Sequence, residues 1–280
     1  MAPSSRWQCA LFPEKRLGKP TSCHSPRRRC RIHRTRVSLG AVTISGDSTP
    51  PRGLAVRVSK RAGRSGSSRQ WLTRQLNDPY VALAQREGQR SRAVYKLKEI
   101  DERYRLFKRG QRIVDLGAAP GGWSQYAAER VEAESGKGWV AAVDLIDMEP
   151  IAGVRFAKLD FLGPEAPAWI VAALGGKADV VLSDMAANTT GHRRTDHLRV
   201  IALAEAAADF AREVLTPGGA LLAKVFQGGT EGALLATLRR EFSQVKHLKP
   251  AASRKGSPEL YLLATGFRGS ASNPLAAVKK

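Results

Sequence analysis

The chain has 280 residues, 42% of them hydrophobic, and a formal net charge of +21 from 46 Lys/Arg against 25 Asp/Glu. That length and apolar content suit one domain of about 200 residues plus a tail, and the charge favours a polyanionic partner, since each neutralised phosphate releases counterions. No apolar run approaches the roughly 18 residues that span a bilayer, and no apolar signal core follows Met1, so the expectation is a protein with no membrane partner.

Residues 1–69 hold 16 Lys/Arg and only 2 Asp/Glu, are rich in Ser, Pro and Gly, and lack sustained apolar periodicity. They are expected to be a disordered basic extension, and their Arg-rich, acid-poor composition also resembles a transit peptide. All three cysteines, Cys9, Cys23 and Cys30, lie in this extension. A disulfide framework is therefore excluded for the rest of the chain, and a reducing, cytoplasmic setting fits, with a mitochondrial one as the alternative if the extension is a transit peptide. Cys23, His24, Cys30 and His33 match no zinc-ligand spacing, so no metal is expected.

A helical pattern begins at Ser68, and Asn77-Asp78-Pro79-Tyr80 predicts a cap followed by a new helix with proline in its first turn. From Ser91 to Tyr104, Ala93, Lys96, Leu97, Ile100 and Tyr104 recur at three- and four-residue intervals, which puts Lys96 on the edge of an apolar helix face. Strand, loop and helix then alternate. Strands are predicted at Arg112–Leu116, Gly138–Asp144, Val154–Asp160, Ala178–Asp184, Ala220–Phe226, Val245–Lys249 and Leu260–Phe267, with helices at Trp123–Glu134, Leu198–Leu215 and Gly232–Phe242. Near-continuous apolar strands in a βα alternation predict a doubly wound α/β sheet covered on both faces. The domain boundaries expected are 1–69 for the extension, 70–268 for the folded domain and 269–280 for a short tail.

In such sheets ligands gather outside the carboxyl ends of the strands. The stretch Asp115-Leu-Gly-Ala-Ala-Pro-Gly-Gly-Trp-Ser-Gln125 follows the first strand and precedes a helix. Its glycines permit a tight turn and close backbone approach to a ligand at a helix N-terminus. Asp115, Asp144, Asp160 and Asp184 each end or nearly end a strand, so four carboxylates are expected to converge on one rim. Asp144 lies about 20 residues past the loop, the placement from which an acid reaches ribose hydroxyls, and Asp160 suits an adenine edge. Lys224 interrupts the apolar strand Ala220–Phe226. A buried ammonium is expensive unless paired, so Asp184 on the neighbouring strand is its expected partner, with the lysine as a base or hydroxyl-orienting group.

Ser91-Arg-Ala-Val-Tyr-Lys96, the glycine loop, Ser183-Asp-Met-Ala-Ala-Asn188, Lys224-Val-Phe-Gln-Gly228 and Ser253-Arg-Lys255 occur in an order that resembles the FtsJ-like (RrmJ/RlmE type) ribosomal RNA 2'-O-methyltransferases, over about Ser68 to Phe267. The resemblance implies a class I S-adenosylmethionine-dependent methyltransferase fold, Rossmann-like, with a seven-stranded, mostly parallel sheet and helices on both faces. It implies S-adenosyl-L-methionine as cofactor, held by Gly121, Trp123, Asp144, Asp160 and Asp184. The implied catalytic tetrad is Lys96, Asp184, Lys224 and Glu259, with Glu259 at the start of an antiparallel seventh strand, facing Lys224 and Asp184. The implied substrate is a uridine ribose in large-subunit ribosomal RNA, on the assembled large ribosomal subunit, and the protein is expected to act as a monomer. Ala187 departs from the family's Asp-Met-Ala-Pro-Asn, and the basic extension is not part of the family pattern. Rival readings are a non-catalytic RNA-binding assembly factor, which has no need of the tetrad, and a 2'-O-methyltransferase acting on another RNA such as tRNA. A nicotinamide dehydrogenase is disfavoured because the loop is not Gly-x-Gly-x-x-Gly.

Overall fold

A computed structural model of the chain describes residues 66–187, 190–228, 232–254 and 256–269. The expectations for the extension before residue 66, its cysteines and histidines included, and for the tail after residue 269 lie outside the described residues. So do Asn188 and Lys255.

Three short helices precede the sheet: α1 (Gly66–Leu76), α2 (Pro79–Arg86) and α3 (Val94–Tyr104). The break between α1 and α2 forms as the sequence predicts. Asp78 takes an extended backbone conformation, its carboxylate accepts the Tyr80 amide, and Pro79 supplies the first helical position, where no backbone donor is needed. The strands are β1 (Arg112–Leu116), β2 (Trp139–Asp144), β3 (Val154–Lys158), β4 (Ala178–Ser183), β5 (Leu215–Phe226), β6 (Phe242–Leu248) and β7 (Glu259–Phe267). Helices α4 (Gly122–Val131), α5 (Ala166–Leu174), α6 (Arg193–Val214) and α7 (Gly232–Glu241) complete the α/β alternation.

The seven strands form one sheet in the order β3-β2-β1-β4-β5-β7-β6. Strand order runs outward in opposite senses from the β1–β4 junction, the position at which such sheets open a crevice for ligands. β7 runs antiparallel to both β5 and β6, and the remaining strand pairs are parallel. Because successive strand residues point to opposite faces, the sheet feeds two separate cores. Val114, Leu116, Val181, Leu221 and Val225 pack under α5, α6 and α7. Ile113, Val140, Val180, Leu222 and Tyr261 pack under α2, α3 and α4.

Several boundaries differ from those read in the sequence. α6 begins at Arg193, five residues earlier than predicted, because the His192 side chain accepts the Thr195 amide and Asp196 accepts the amides of Thr190 and Gly191. This polar N-terminal turn carries no apolar periodicity to announce it. β5 begins at Leu215, where the helix was expected to end, and a register shift against β4 between Ala178 and Val180 accommodates Pro217-Gly-Gly219. β6 starts at Phe242, a residue expected to close the preceding helix, because Phe242 pairs with Phe267 across the β6–β7 ladder.

Candidate active site

The glycine loop leaves β1 and enters α4 through Gly121, the helix N-cap, at a φ of 100°, a left-handed conformation that suits glycine. A Cβ at Gly121 would lie 2.7 Å from Ile151, and one at Gly117, also at positive φ, would lie 2.5 Å from Met185. The loop is thus pressed between the β2–β3 connection and the residues that follow Asp184. The loop residues permit that approach, and the first-turn amides of α4, like those of any helix, have no partner within the helix.

Asp144, at the end of β2, holds this loop in place. Its carboxylate accepts the Ala119 amide at 2.8 Å and the Ile146 amide at 2.8 Å, tying the glycine loop to the residues after β2. Asp160 is exposed beyond β3 and accepts the Leu162 amide. Leu145, Ile146 and Leu162, which follow these two acids, are 65%, 68% and 61% exposed, unusually open for large apolar side chains. Beside the loop, a cavity of about 950 Å³ opens among Arg90, Ala119, Pro120, Ile146, Asp147, Met148 and Glu149. None of the tetrad residues lines it.

Two of the cofactor-side expectations change on the structure. Asp115 does not reach the rim with the other three acids. It is 1% exposed, because as the fourth residue of β1 it points into the core under α4, where it accepts the Ser124 hydroxyl at 2.5 Å and leaves Oδ1 without a partner. Burial, with the charges of Asp184 and Asp144 nearby, pushes its carboxyl from the ordinary 3.8 up to about 7, against a lowering by the Ser124 bond. Trp123 is 3% exposed; its indole N–H donates to the Ala93 carbonyl at 2.9 Å and its ring packs on Tyr261. The Trp123 side chain is therefore a core strut between α4, α3 and β7.

The tetrad residues do come together, on the face of the sheet under α3 and α4. Lys224 is paired across the β5–β7 ladder with Tyr261, and Ser183 neighbours Ala223, so Asp184 meets Lys224 at the strand ends. Lys224 Nζ lies 3.1 Å from Asp184 Oδ1 and donates to the Asp184 carbonyl oxygen at 2.5 Å. Lys96 on α3 is buried with the apolar side of its helix and sits 2.7 Å from Glu259. The expectation that Glu259 faces Lys224 is corrected here. As the first residue of β7 it stands opposite Phe226, takes Lys96 as its cation and accepts the Ser253 hydroxyl at 3.0 Å.

What joins the two ion pairs is a residue the sequence reading left aside. Tyr261 follows Glu259 by two positions in β7, so both side chains lie on one face. Its hydroxyl donates to Asp184 at 2.7 Å, accepts from Lys96 at 3.2 Å and lies 3.3 Å from Glu259. Burial, together with the Asp184 and Glu259 carboxylates, raises the phenol well above its ordinary value, so it remains a hydroxyl. Burial alone would raise Asp184 too. The ammonium groups of Lys224 and Lys96 and the hydrogen bonds from Tyr261 and Lys224 outweigh it, and the Asp184 carboxyl is held below its ordinary value as a carboxylate. The signal for Tyr261 was present as an i, i+2 partner of Glu259, but its importance depends on the β5–β7 register, which periodicity does not reveal.

Among the described residues no group of three or more His, Cys, Asp or Glu could hold a metal ion, and no helix is long and apolar enough to cross a membrane.

The chain matches the model of the FtsJ-like methyltransferase family over residues 89–267. It is 63% identical to the ribosomal RNA large subunit methyltransferase E of Xanthobacter autotrophicus, across 80% of this chain and 90% of that protein. It is 65% identical to the enzyme of the same name from Azorhizobium caulinodans, across 82% and 96%. Among solved structures it resembles one described as a ribosomal RNA methyltransferase of Plasmodium falciparum, at 29% identity and a TM-score of 0.58, covering 64% of this chain and 99% of that one.

Proposed function

The chain belongs to the FtsJ-like methyltransferase family, and on that premise we propose that it transfers a methyl group from S-adenosylmethionine to the ribose 2'-oxygen of a uridine in large-subunit ribosomal RNA. The observation that carries this reading is the Lys224–Asp184 pair beside the Lys96–Glu259 pair, bridged by the Tyr261 hydroxyl just past the carboxyl end of β4. A protein that only binds RNA has no need to bury two lysines and hold them this way.

The crevice fits the cofactor on its own chemistry. The Gly121 amide is taken up by the Ala118 carbonyl at 2.7 Å, which closes the loop, and the first-turn amides of α4, Trp123 among them, are the backbone donors that remain for a carboxylate. Asp144 and Asp160 stand at strand ends beside exposed Leu145, Ile146 and Leu162, an acid-and-apolar setting suited to a ribose and an adenine ring. Asp184, held ionised, faces the place where a cationic centre would gain most. When bound, the cofactor supplies an electrophilic methyl carried on a sulfonium, a leaving group that needs no acid.

The protein's part is to align and to handle one proton. Two of the three donor positions of Lys224 Nζ are directed at Asp184, which leaves the third for the 2'-hydroxyl. Asp184 keeps Lys224 in that orientation, and Lys96 and Glu259, linked to Asp184 through Tyr261, position the ribose from the other side. To act as base the ammonium first gives one proton to solvent. The amine then keeps two N–H bonds on Asp184 and turns its lone pair to the 2'-hydroxyl. It takes the hydroxyl proton as the oxygen–carbon bond forms and the carbon–sulfur bond breaks, the electron pair of the broken bond staying on sulfur.

The reading is tested by supplying methyl-labelled S-adenosylmethionine and the protein to large ribosomal subunits and to naked ribosomal RNA, followed by alkaline hydrolysis. One alkali-resistant linkage at a uridine is the expected result. Label on a base, or none in either substrate, would refute it.

A further inference from the structure

Helix α1 carries a feature that the active site does not use. Its sequence, Gly66-Ser-Ser-Arg-Gln-Trp-Leu-Thr-Arg-Gln-Leu76, contains no acidic residue, and Trp71 is 54% exposed. Tryptophan is seldom left so open, because its indole is a large apolar surface. Arg74 and Gln75 lie three and four residues on, so they share the indole's face. Gln75 accepts Arg254 Nη2 at 3.2 Å, and Arg254 also meets Asp78 at 3.1 Å. Asp78 is paired a second time, with Arg92 at 2.9 Å, so the acid at the end of α1 is doubly neutralised and the surface stays basic.

These contacts fix where α1 stands. Arg92 donates to the Ala252 carbonyl, and the next residue, Ser253, holds Glu259 of the tetrad. The indole therefore shares a helix face with Gln75, which holds Arg254, the residue next to the Ser253 that binds Glu259.

We propose that α1 is a docking surface for a single-stranded stretch of the RNA substrate, with the Trp71 ring stacked on an unpaired base and Arg69 and Arg74 against neighbouring phosphates. The proposal rests on the reading of the protein as an RNA methyltransferase and adds to it the surface that grips the strand beside the target. Charge selects the partner: an exposed aromatic ring beside Arg74, on a helix that also carries Arg69 and no acid, suits a polyanion bearing flat rings, since every base has a stacking face.

The test compares the full chain with its Trp71→Ala and Trp71→Phe variants. Each is titrated with a fluorescein-labelled single-stranded RNA of about ten nucleotides and assayed for methylation of ribosomal RNA. Trp71→Ala should weaken RNA binding and raise the KM for RNA by about 5- to 100-fold, the loss of one stacked base, with cofactor affinity and kcat at saturating RNA unchanged. Trp71→Phe should recover most of the loss, and Arg74→Gln should reduce the salt dependence of binding by about 0.7 in log–log slope. A half-exposed side chain adds little to folding, so urea midpoints should match. RNA binding by Trp71→Ala equal to that of the wild type would overturn the proposal. So would a Trp71-dependent dimer in sedimentation that RNA does not dissociate. If Trp71→Ala loses RNA affinity while the wild type never methylates ribosomal RNA, the docking surface stands and the methyl-transfer reading falls.

Discussion

Asp115 and Asp184 sit at the carboxyl ends of adjacent strands, on the same face of the sheet, and their carboxyl groups are driven in opposite directions. Asp115 is sealed under α4, hydrogen-bonded to Ser124 with no cation beside it among the described residues, and rises to about 7. Asp184, about one-fifth exposed at its side chain, faces two ammonium groups and a phenol and falls below its ordinary value. Strand position placed both acids on one face at neighbouring strand ends, but two cations and the hydrogen bonds of Tyr261 and Lys224 decided which one is a working carboxylate. An acid at a strand end is therefore a candidate, and its partners give it a role.

The same substitution at the two positions should break or sharpen this contrast. Asp184→Asn leaves Lys224, whose side chain is 8% exposed, without its carboxylate. Removing one member of a buried pair costs about 3–5 kcal/mol, so urea unfolding should shift by that order and methyl transfer should fall below detection. Asp115→Asn should be far milder. Between pH 4 and 7 the folded wild type binds more protons at Asp115 than the unfolded chain does, because the folded carboxyl titrates near 7 and the unfolded one near 3.8. Stability from this group is therefore highest at the acid end of that window, falls as the pH rises through it and is level above, by an amount on the order of a few kcal/mol. Unfolding curves of Asp115→Asn across this range should lose that slope, while at its acid end, near pH 4, the two proteins should differ little. An Asp115→Asn protein as damaged as Asp184→Asn would show that the two acids are not distinguished by their partners.

The arrangement of elements was legible in the sequence because each strand is a run of apolar residues and each crossover a helical period. β1 and β4 were readable to within a residue for that reason. α6 was read too short because its first turn is built from His192, Thr195 and Asp196, which cap through hydrogen bonds and leave no hydrophobic trace. The site was legible where it breaks pattern. Lys224 stood out as a charge inside an apolar strand, and Asp184 as the acid beside it. Its wiring was not legible. Tyr261 looks like any strand aromatic until the antiparallel register sets it opposite Lys224, and Glu259 chooses Lys96 because α3 crosses above it. The burial of Asp115 was likewise hidden, since one residue of strand phase separates a rim ligand from a core acid.

The central claim is that Lys224, held by Asp184, orients and deprotonates the ribose hydroxyl. Single-turnover methylation of large-subunit ribosomal RNA by wild type and Lys224→Ala, with S-adenosylmethionine binding measured calorimetrically on the same preparations, tests it most directly. The account predicts that the variant binds the cofactor as the wild type does and loses on the order of 10²–10⁴ in methyl-transfer rate. A Lys224→Ala protein that methylates the same ribose at an undiminished rate would contradict it.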